Sequence, residues 1–141
     1  MLGYLAEDGQ LDLPVDRGGL FHTGDLGYYD EDGDLHITGR CKDIIIRGGE
    51  NLSPATIASV ITSLPGVRDA CVVGLEDKKY GEVPAALVVT DRYTTEELSR
   101  LLEDKLMRCQ RPVRILIRDA IPQNAAGKPD KKAAKRILSE N

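Results

Sequence analysis

The stretch from residue 36 to residue 54 constrains the fold more than any other part of the chain. An alternating run ends at Arg40, and a charged joint, Lys42-Asp43, follows it. The β-branched run 44–46 then enters the pair Gly48-Gly49, which favours a tight turn because glycine adopts positive φ without a steric cost. A strand, a joint and a glycine loop within twenty residues predict one body that moves against another.

Length and composition place the chain among ordinary globular proteins. It has 141 residues, of which 41% are hydrophobic and 30% charged. This length suits one domain, or a small domain with an appendage. No apolar run is long enough to span a membrane and no signal peptide is visible, so no membrane span is predicted.

The cysteines indicate a reducing compartment. Cys41, Cys71 and Cys109 are odd in number and widely spaced. They match neither a disulfide framework nor the spacing of a zinc site, so the prediction is a cytoplasmic protein without a metal site.

Charge is distributed unevenly along the chain. Residues 1–36 hold nine acidic residues and one basic residue, whereas residues 111–141 hold eight basic and three acidic residues. The basic end either faces an anionic ligand or is a solvated surface. Aromatic residues make up only 4% of the chain, which argues against nucleic-acid binding by stacking.

The order of patterns predicts an α+β fold. Two short alternating runs flank the Asp32-Gly33 turn and predict a β-hairpin. Thr94 with Glu97 predicts a capping box. The other predicted elements are a helix that begins after Ser53 and ends before Pro65, strands at 70–75, 83–89 and 113–117, an apolar helix stripe of Leu98, Leu101, Leu102 and Leu106, and a basic helix at 130–138.

The sheet is expected to be small and mixed, with about three main strands and flanking helices. Pro84 is expected to lie at an edge or at the start of its strand, because proline cannot donate to a ladder.

Three separated motifs point to one family. They are Phe-His-Thr-Gly-Asp at 21–25, Gly-Arg-Cys-Lys-Asp at 39–43 with Gly-Gly-Glu-Asn at 48–51, and Ile-Pro-Gln-Asn-Ala-Ala-Gly-Lys at 121–128. In this order they resemble the C-terminal part of the adenylate-forming enzymes, which include acyl-CoA synthetases, aryl-CoA ligases, luciferases and peptide-synthetase adenylation domains. The resemblance extends from about Gly19 onward.

The resemblance implies a division of the chain. Residues 1–41 correspond to the terminal strands of a large N-terminal adenylate-binding domain, and residues 42–141 to a C-terminal lid. The rest of the N-terminal domain is missing and is expected in the same or a separate chain. It would carry the phosphate-binding loop and the acyl pocket.

The nucleotide contacts implied by the resemblance are Asp25 and Arg40, with Thr23 beside them. Asp25 would accept hydrogen bonds from the ribose hydroxyls of ATP or AMP, since a carboxylate accepts from two donors. Arg40 would make the second ribose contact.

Lys128 is implied to be the adenylation lysine. Its ammonium group would offset the repulsion between the substrate carboxylate and the α-phosphate. The lysines that follow, and Arg136, are interpreted as a solvated helix face. Pro122 and Pro129 exclude a phosphate-binding P-loop around Lys128.

Lys42 matches the family's hinge position, about which the lid turns after adenylation. The loop of Gly48, Gly49 and Glu50 would then line the channel for the pantetheine arm of CoA.

The function implied is that of an acid–thiol ligase of fatty-acid or lipid metabolism. ATP and CoA would be substrates, and Mg²⁺ would accompany ATP without identifiable ligands here. The isolated chain is expected to be inactive. Two alternatives remain open: an adenylation domain that loads a carrier protein, and a stand-alone binding module without catalysis.

Overall fold

The fold was analysed in a computed structural model that describes residues 4–5, 9, 11–12 and 15–140. The chain forms two compact units, Met1–Cys41 and Lys42–Asn141. Each unit is described by itself.

The first unit is built from two antiparallel strand pairs. β1 (Tyr4–Leu5) pairs with β2 (Leu11–Asp12), and β3 (Asp25–Tyr29) pairs with β4 (Leu35–Arg40). The Asp30 carboxylate accepts hydrogen bonds from the backbone N–H groups of Asp32 and Asp34, and this fixes the turn between β3 and β4. The predicted hairpin is therefore confirmed.

Large apolar side chains cover much of this hairpin and are open to solvent. Their exposed fractions run from 55% to 72% for Tyr28, Leu35, Ile37 and Tyr29. A two-stranded hairpin with such side chains buries too little apolar surface to be stable alone. The first unit thus presents an apolar surface.

A 3-10 turn, Cys41–Asp43, leads into the second unit, which holds one five-stranded sheet and three helices. In chain order the elements are β5 (Ile45–Arg47), β6 (Glu50–Leu52), α1 (Pro54–Thr62), β7 (Val67–Asp77), β8 (Gly81–Thr90), α2 (Thr95–Glu103), β9 (Arg114–Ile117) and α3 (Lys131–Ser139). β5 and β7 pair antiparallel with β8, and β9 pairs parallel with it, which confirms the α+β class and the mixed sheet. The hairpin β5–β6 widens the sheet beyond the three main strands predicted.

β8 is the centre of this unit, and its residues 83–90 are all buried. Alternate residues face two separate cores because side chains alternate along a strand. Ala86 and Val88 pack in the core covered by α1 and α2. Ala85, Leu87 and Val89 pack in the core covered by α3.

The helices begin where local sequence predicts. The Ser53 hydroxyl accepts from the Thr56 N–H at the start of α1, with Pro54 as the first helical residue. Thr94 and Glu97 form the predicted capping box of α2. The Asp130 carboxylate caps α3 by accepting from the N–H groups of Lys132 and Ala133.

Pro84 does not lie at an edge or strand start, as the sequence had suggested. It is buried in the fourth position of β8, opposite Gly74 of β7. Its carbonyl accepts from the Val113 N–H on the opposite side of the strand, so its ring nitrogen faces that side as well. β5 pairs with β8 at Gly81 and β9 begins to pair at Ala85, so the proline occupies the gap between them.

Two apolar positions are more exposed than predicted. Leu101, in the predicted stripe of α2, is exposed, whereas Leu98, Leu102 and Leu106 are buried. Val113 is exposed because β9 begins only at Arg114. Among the described residues, no helix has the length and apolar character needed to cross a membrane.

The burial of Cys71 predicts selective thiol reactivity. Burial raises the pKa of the Cys71 thiol, and the thiolate is the form that alkylating reagents attack. Cys41 is exposed. With iodoacetamide at about pH 8, we expect Cys41 to be labelled and Cys71 to remain unmodified in the folded chain, as read by peptide mass spectrometry. Labelling in denaturant should reach all three cysteines; equal rates at Cys41 and Cys71 without denaturant would contradict the burial of Cys71.

Candidate functional site

The two residues predicted to contact ribose form an ion pair across the hairpin of the first unit. Asp25 begins β3 and Arg40 ends β4, and the register sets them opposite each other. The Arg40 Nε donates to Asp25 Oδ1 at 2.9 Å. Both side chains are partly exposed, at 57% for Arg40 and 30% for Asp25.

The Thr23 hydroxyl fixes the backbone of Asp25 by accepting from its N–H at 3.1 Å. Thr23, Asp25 and Arg40 are thus brought together by local structure. The bond from Arg40 uses one carboxylate oxygen, and a carboxylate has about four lone-pair sites. Asp25 therefore keeps acceptor capacity for a vicinal diol.

The predicted hinge residue, Lys42, is exposed within the 3-10 turn. Its side chain makes no hydrogen bond or ion pair with any residue that the structure describes. Asp43, which follows it, is bonded to Lys131 at 2.6 Å.

The glycine loop joins β5 to β6, with φ of +56° at Gly48 and +91° at Gly49. The Gly48 N–H donates to the Tyr80 carbonyl at 2.7 Å, which ties the loop to the turn before β8. Gly49 has open space where a side chain would begin. Glu50 is exposed at the start of β6. The loop is therefore held at one glycine and open at the other.

The turn that holds Gly48 is itself fixed by Asp77. The backbone N–H groups of Tyr80 and Lys79 donate to its carboxylate, at 2.8 and 2.9 Å, and these bonds lower the pKa of Asp77. These bonds therefore stabilise the fold fully above the unfolded pKa of about 4, and their contribution is lost as the pH falls through the lowered pKa of Asp77.

Arg47 is a site residue that sequence analysis missed. Its guanidinium donates to the carbonyls of Arg108 and Cys109, at 3.1 and 2.6 Å. The same group lies 5.1 Å from the centre of the Tyr80 ring. It thus fastens the glycine loop to the segment after α2. A basic residue immediately before the glycine pair was the only local signal for this role.

These contacts border a cleft of about 530 Å³. Arg47, Gly48, Glu50 and Tyr80 form one side, and residues 107–109 form the other. The second side is far away in sequence, which is why the cleft could not be predicted.

Lys128 is exposed in the loop between β9 and α3. Its own backbone is fixed by Asn124: the Asn124 side-chain oxygen accepts from the N–H groups of Ala126 and Lys128, at 2.9 and 3.1 Å. The Asn124 N–H donates to the Lys128 carbonyl at 2.8 Å. Gly127 completes the turn with φ of +71°. Asn124 is a second functional candidate that sequence analysis did not single out.

Lys131 is exposed, as predicted for the solvated face, and its ammonium also bonds to Asp43, whereas Lys135 is half-buried. Lys132 and Arg136 are exposed on the same helix, as predicted. No group of three or more histidine, cysteine or acidic side chains among the described residues could hold a metal ion.

The structure places the candidates in separate groups: Thr23, Asp25 and Arg40 in the first unit, the residue-48–50 loop and the Lys128 loop in the second. Within the second unit, each of these two loops is attached to a different hydrophobic core. Cys109, which binds Arg47, packs against the core of α1 and α2. Ile121, which leads into the Lys128 loop, is buried in the core of α3.

Comparison with known proteins gives consistent matches. The 2-succinylbenzoate–CoA ligase of Bacillus mycoides is 42% identical over 125 residues, which are 88% of this chain and 26% of that enzyme. The long-chain-fatty-acid–CoA ligase FadD13 of Mycobacterium tuberculosis is 44% identical over 112 residues, or 78% of this chain and 22% of that enzyme. This chain therefore spans about a quarter of the length of these relatives.

A solved structure matches at the level of the fold. The o-succinylbenzoate CoA synthetase MenE of Bacillus subtilis, in complex with the acyl-adenylate intermediate, has a TM-score of 0.78 and 38% identity over 86% of this chain and 25% of its own. The model of the AMP-binding enzyme C-terminal domain matches residues 56–128, which is more than half of the 141 residues. The chain belongs to the family of AMP-binding enzyme C-terminal domains.

Proposed function

We propose that this chain is the C-terminal portion of an AMP-forming acyl-CoA synthetase and supplies its hinge, ribose contacts and adenylation lysine. The observation that carries the proposal is the placement of Lys128. The residue is exposed on a loop whose backbone Asn124 holds through four hydrogen bonds. A cation that is fixed at its base and unpaired with the described residues is available to a bound anion.

In the first half-reaction, a carboxylate oxygen attacks the α-phosphorus of ATP and pyrophosphate leaves. Both reactants are anions, so they repel each other. Lys128 would donate hydrogen bonds to both and stabilise the charge that develops in the transition state. Mg²⁺ enters with the ATP phosphates as part of the substrate.

Asp25 and Arg40 would orient the nucleotide in this reaction. The Asp25 carboxylate accepts from the ribose hydroxyls with its remaining lone pairs, while Arg40 holds the carboxylate in place. Thr23 fixes the Asp25 backbone in turn. Orientation of the ribose sets the position of the α-phosphate.

In the second half-reaction, the CoA sulfur attacks the acyl carbonyl carbon, its proton is released, and AMP leaves with the electron pair. Rotation at Lys42 would exchange the Lys128 loop for the residue-48–50 loop in the active site. The open space at Gly49 suits the passage of a narrow pantetheine arm. The attachment of the two loops to different cores supports such an exchange.

The first unit is proposed to be the terminal part of a larger adenylate-binding domain. The exposed apolar side chains of its hairpin support this assignment, as does the quarter of the relatives' length that the chain spans. Residues 42–141 would then be the lid. The larger domain would supply the phosphate loop and acyl pocket.

The acid is proposed to be a fatty acid or another simple carboxylic acid. Relatives of nearly equal identity are named for 2-succinylbenzoate and for long-chain fatty acids, so the shared segment does not select the acid. A cytosolic location is proposed from the three free thiols.

One prediction from the proposed function concerns the chain by itself. Purified as 141 residues, it should not catalyse acid-dependent ATP–pyrophosphate exchange, because the phosphate loop and acyl pocket lie elsewhere. The measurement is incorporation of labelled pyrophosphate into ATP with a panel of fatty and aryl acids. Exchange above a no-acid background would show that the chain is complete for adenylation.

Another prediction separates the half-reactions in the complete enzyme. Lys128→Ala should lower adenylation by about 10²-fold or more, the effect of removing one preorganised charge-stabilising donor. Thioester formation from preformed acyl-adenylate and CoA should change by less than about threefold, since another loop serves that step. Lys105→Ala, which removes an exposed lysine near α2, is the matched control and should leave both rates unchanged.

Equal losses in both half-reactions for Lys128→Ala would contradict the assigned role.

The same assay tests the acceptor: replacement of CoA by a holo carrier protein separates a CoA ligase from a carrier-loading adenylation domain. A complete protein without either half-reaction would favour a non-catalytic binding module.

A further inference from the structure

Lys42 lies between two residues that are each anchored within their own unit. In the first unit, the Cys41 N–H donates to the Gly24 carbonyl at 2.8 Å. In the second unit, the Asp43 Oδ2 accepts from the Lys131 Nζ at 2.6 Å. The Lys42 side chain has no hydrogen bond or ion pair among the described residues. Lys42 is therefore the residue between the two anchored positions, Cys41 and Asp43.

The anchor in the second unit joins residues that are 88 positions apart. It links the entry of the lid to the first residue of α3. The backbone of Lys131 is fixed because α3 is held in the core by Ala134 and Leu138, both fully buried. Asp130 also caps the same helix turn.

Without this contact the rigid part of the lid would begin later in the chain. The ladder of the sheet starts at Ile45, which is buried, and Ile44 is only half-buried. Asp43 itself precedes the strand. The ion pair thus extends the fixed part of the lid by two residues, up to the residue next to Lys42.

We propose that the Asp43–Lys131 ion pair is a positioning contact that confines lid rotation to Lys42. This inference rests on the proposed function, in which the lid has two working orientations. Without the ion pair, rotation could be spread over residues 42–44 and would admit many orientations. Rotation at Lys42 alone is limited to the φ and ψ of that residue. Precise orientation matters because small misplacement of a catalytic group costs much of the rate.

The neighbouring lysine provides a matched control. Lys132 is exposed on the same helix and lines the same cleft of about 200 Å³ beside Asp43. Its side chain has no ion pair among the described residues. Lys132→Ala therefore removes the same charge one position away without removing the anchor.

The first experiment measures orientation in the complete enzyme without substrates and requires no activity. Spin labels at Asp32→Cys in the hairpin turn and Lys105→Cys near α2 report the distance between the units, in a background of Cys41→Ser and Cys109→Ala. Lys131→Ala and Asp43→Asn should each broaden the distance distribution measured by pulsed electron resonance. Lys132→Ala should not. The exchanged pair, Asp43→Lys with Lys131→Asp, should restore the original width.

The second experiment measures both half-reactions in the complete enzyme. Lys131→Ala and Asp43→Asn should each lower both rates by about two- to fivefold, the range expected from the modest energy of an exposed ion pair. The exchanged pair should recover the rates. This pattern differs from that of Lys128→Ala, which affects adenylation alone.

Two results would overturn the inference. One is a distance distribution for Lys131→Ala as narrow as that for Lys132→Ala. The other is failure of the exchanged pair to restore a width that both single variants had broadened. Because width is measured without turnover, a failure of the ligase assignment would leave this test decisive.

Discussion

The burial of β8 on both faces is the constraint on which the second unit depends. Eight consecutive residues, 83–90, are buried, and a strand with two covered faces needs a layer of helix on each. α1 and α2 cover one face and α3 covers the other. Each large aliphatic side chain buried in these layers contributes about 1.5–3 kcal/mol. The cores therefore fix the helices, and the helices fix the loops that carry the candidate site.

The two candidate loops use this rigidity in different ways. The residue-48–50 loop depends on long-range contacts, since Gly48 bonds to Tyr80 and Arg47 reaches the carbonyls after α2. The Lys128 loop depends on local contacts, since Asn124 alone bonds four backbone groups within five residues. A change in packing near α2 would therefore disturb the first loop before the second. On the proposed function, thiol transfer is the half-reaction more sensitive to distant substitutions.

Sequence predicted those features whose cause is local. The Asp32-Gly33 turn, the Ser53 and Thr94 caps and the apolar run of β8 each depend on neighbours a few residues away, and all were found in the structure. Features that depend on tertiary neighbours were missed. Arg47 acquires its role from carbonyls 61 and 62 residues away, and Asp43 acquires its partner from 88 residues away. Pro84 was misplaced because its strand changes neighbours at that residue, which only the assembled sheet reveals.

The exposure of Lys128 has a consequence for how such a lid would work. Two unit charges 4 Å apart interact by about 1 kcal/mol in water but by about 4 kcal/mol at the effective dielectric near a protein surface. The ammonium group of a lysine on an open lid therefore loses little hydration and stabilises a nearby anion only weakly. Its electrostatic effect grows only when a second surface excludes water around it. On the proposed function, the larger adenylate-binding domain would supply that surface. Under that proposal, lid closure would turn a solvated surface lysine into a catalytic cation, which is why the chain by itself is expected to be inactive.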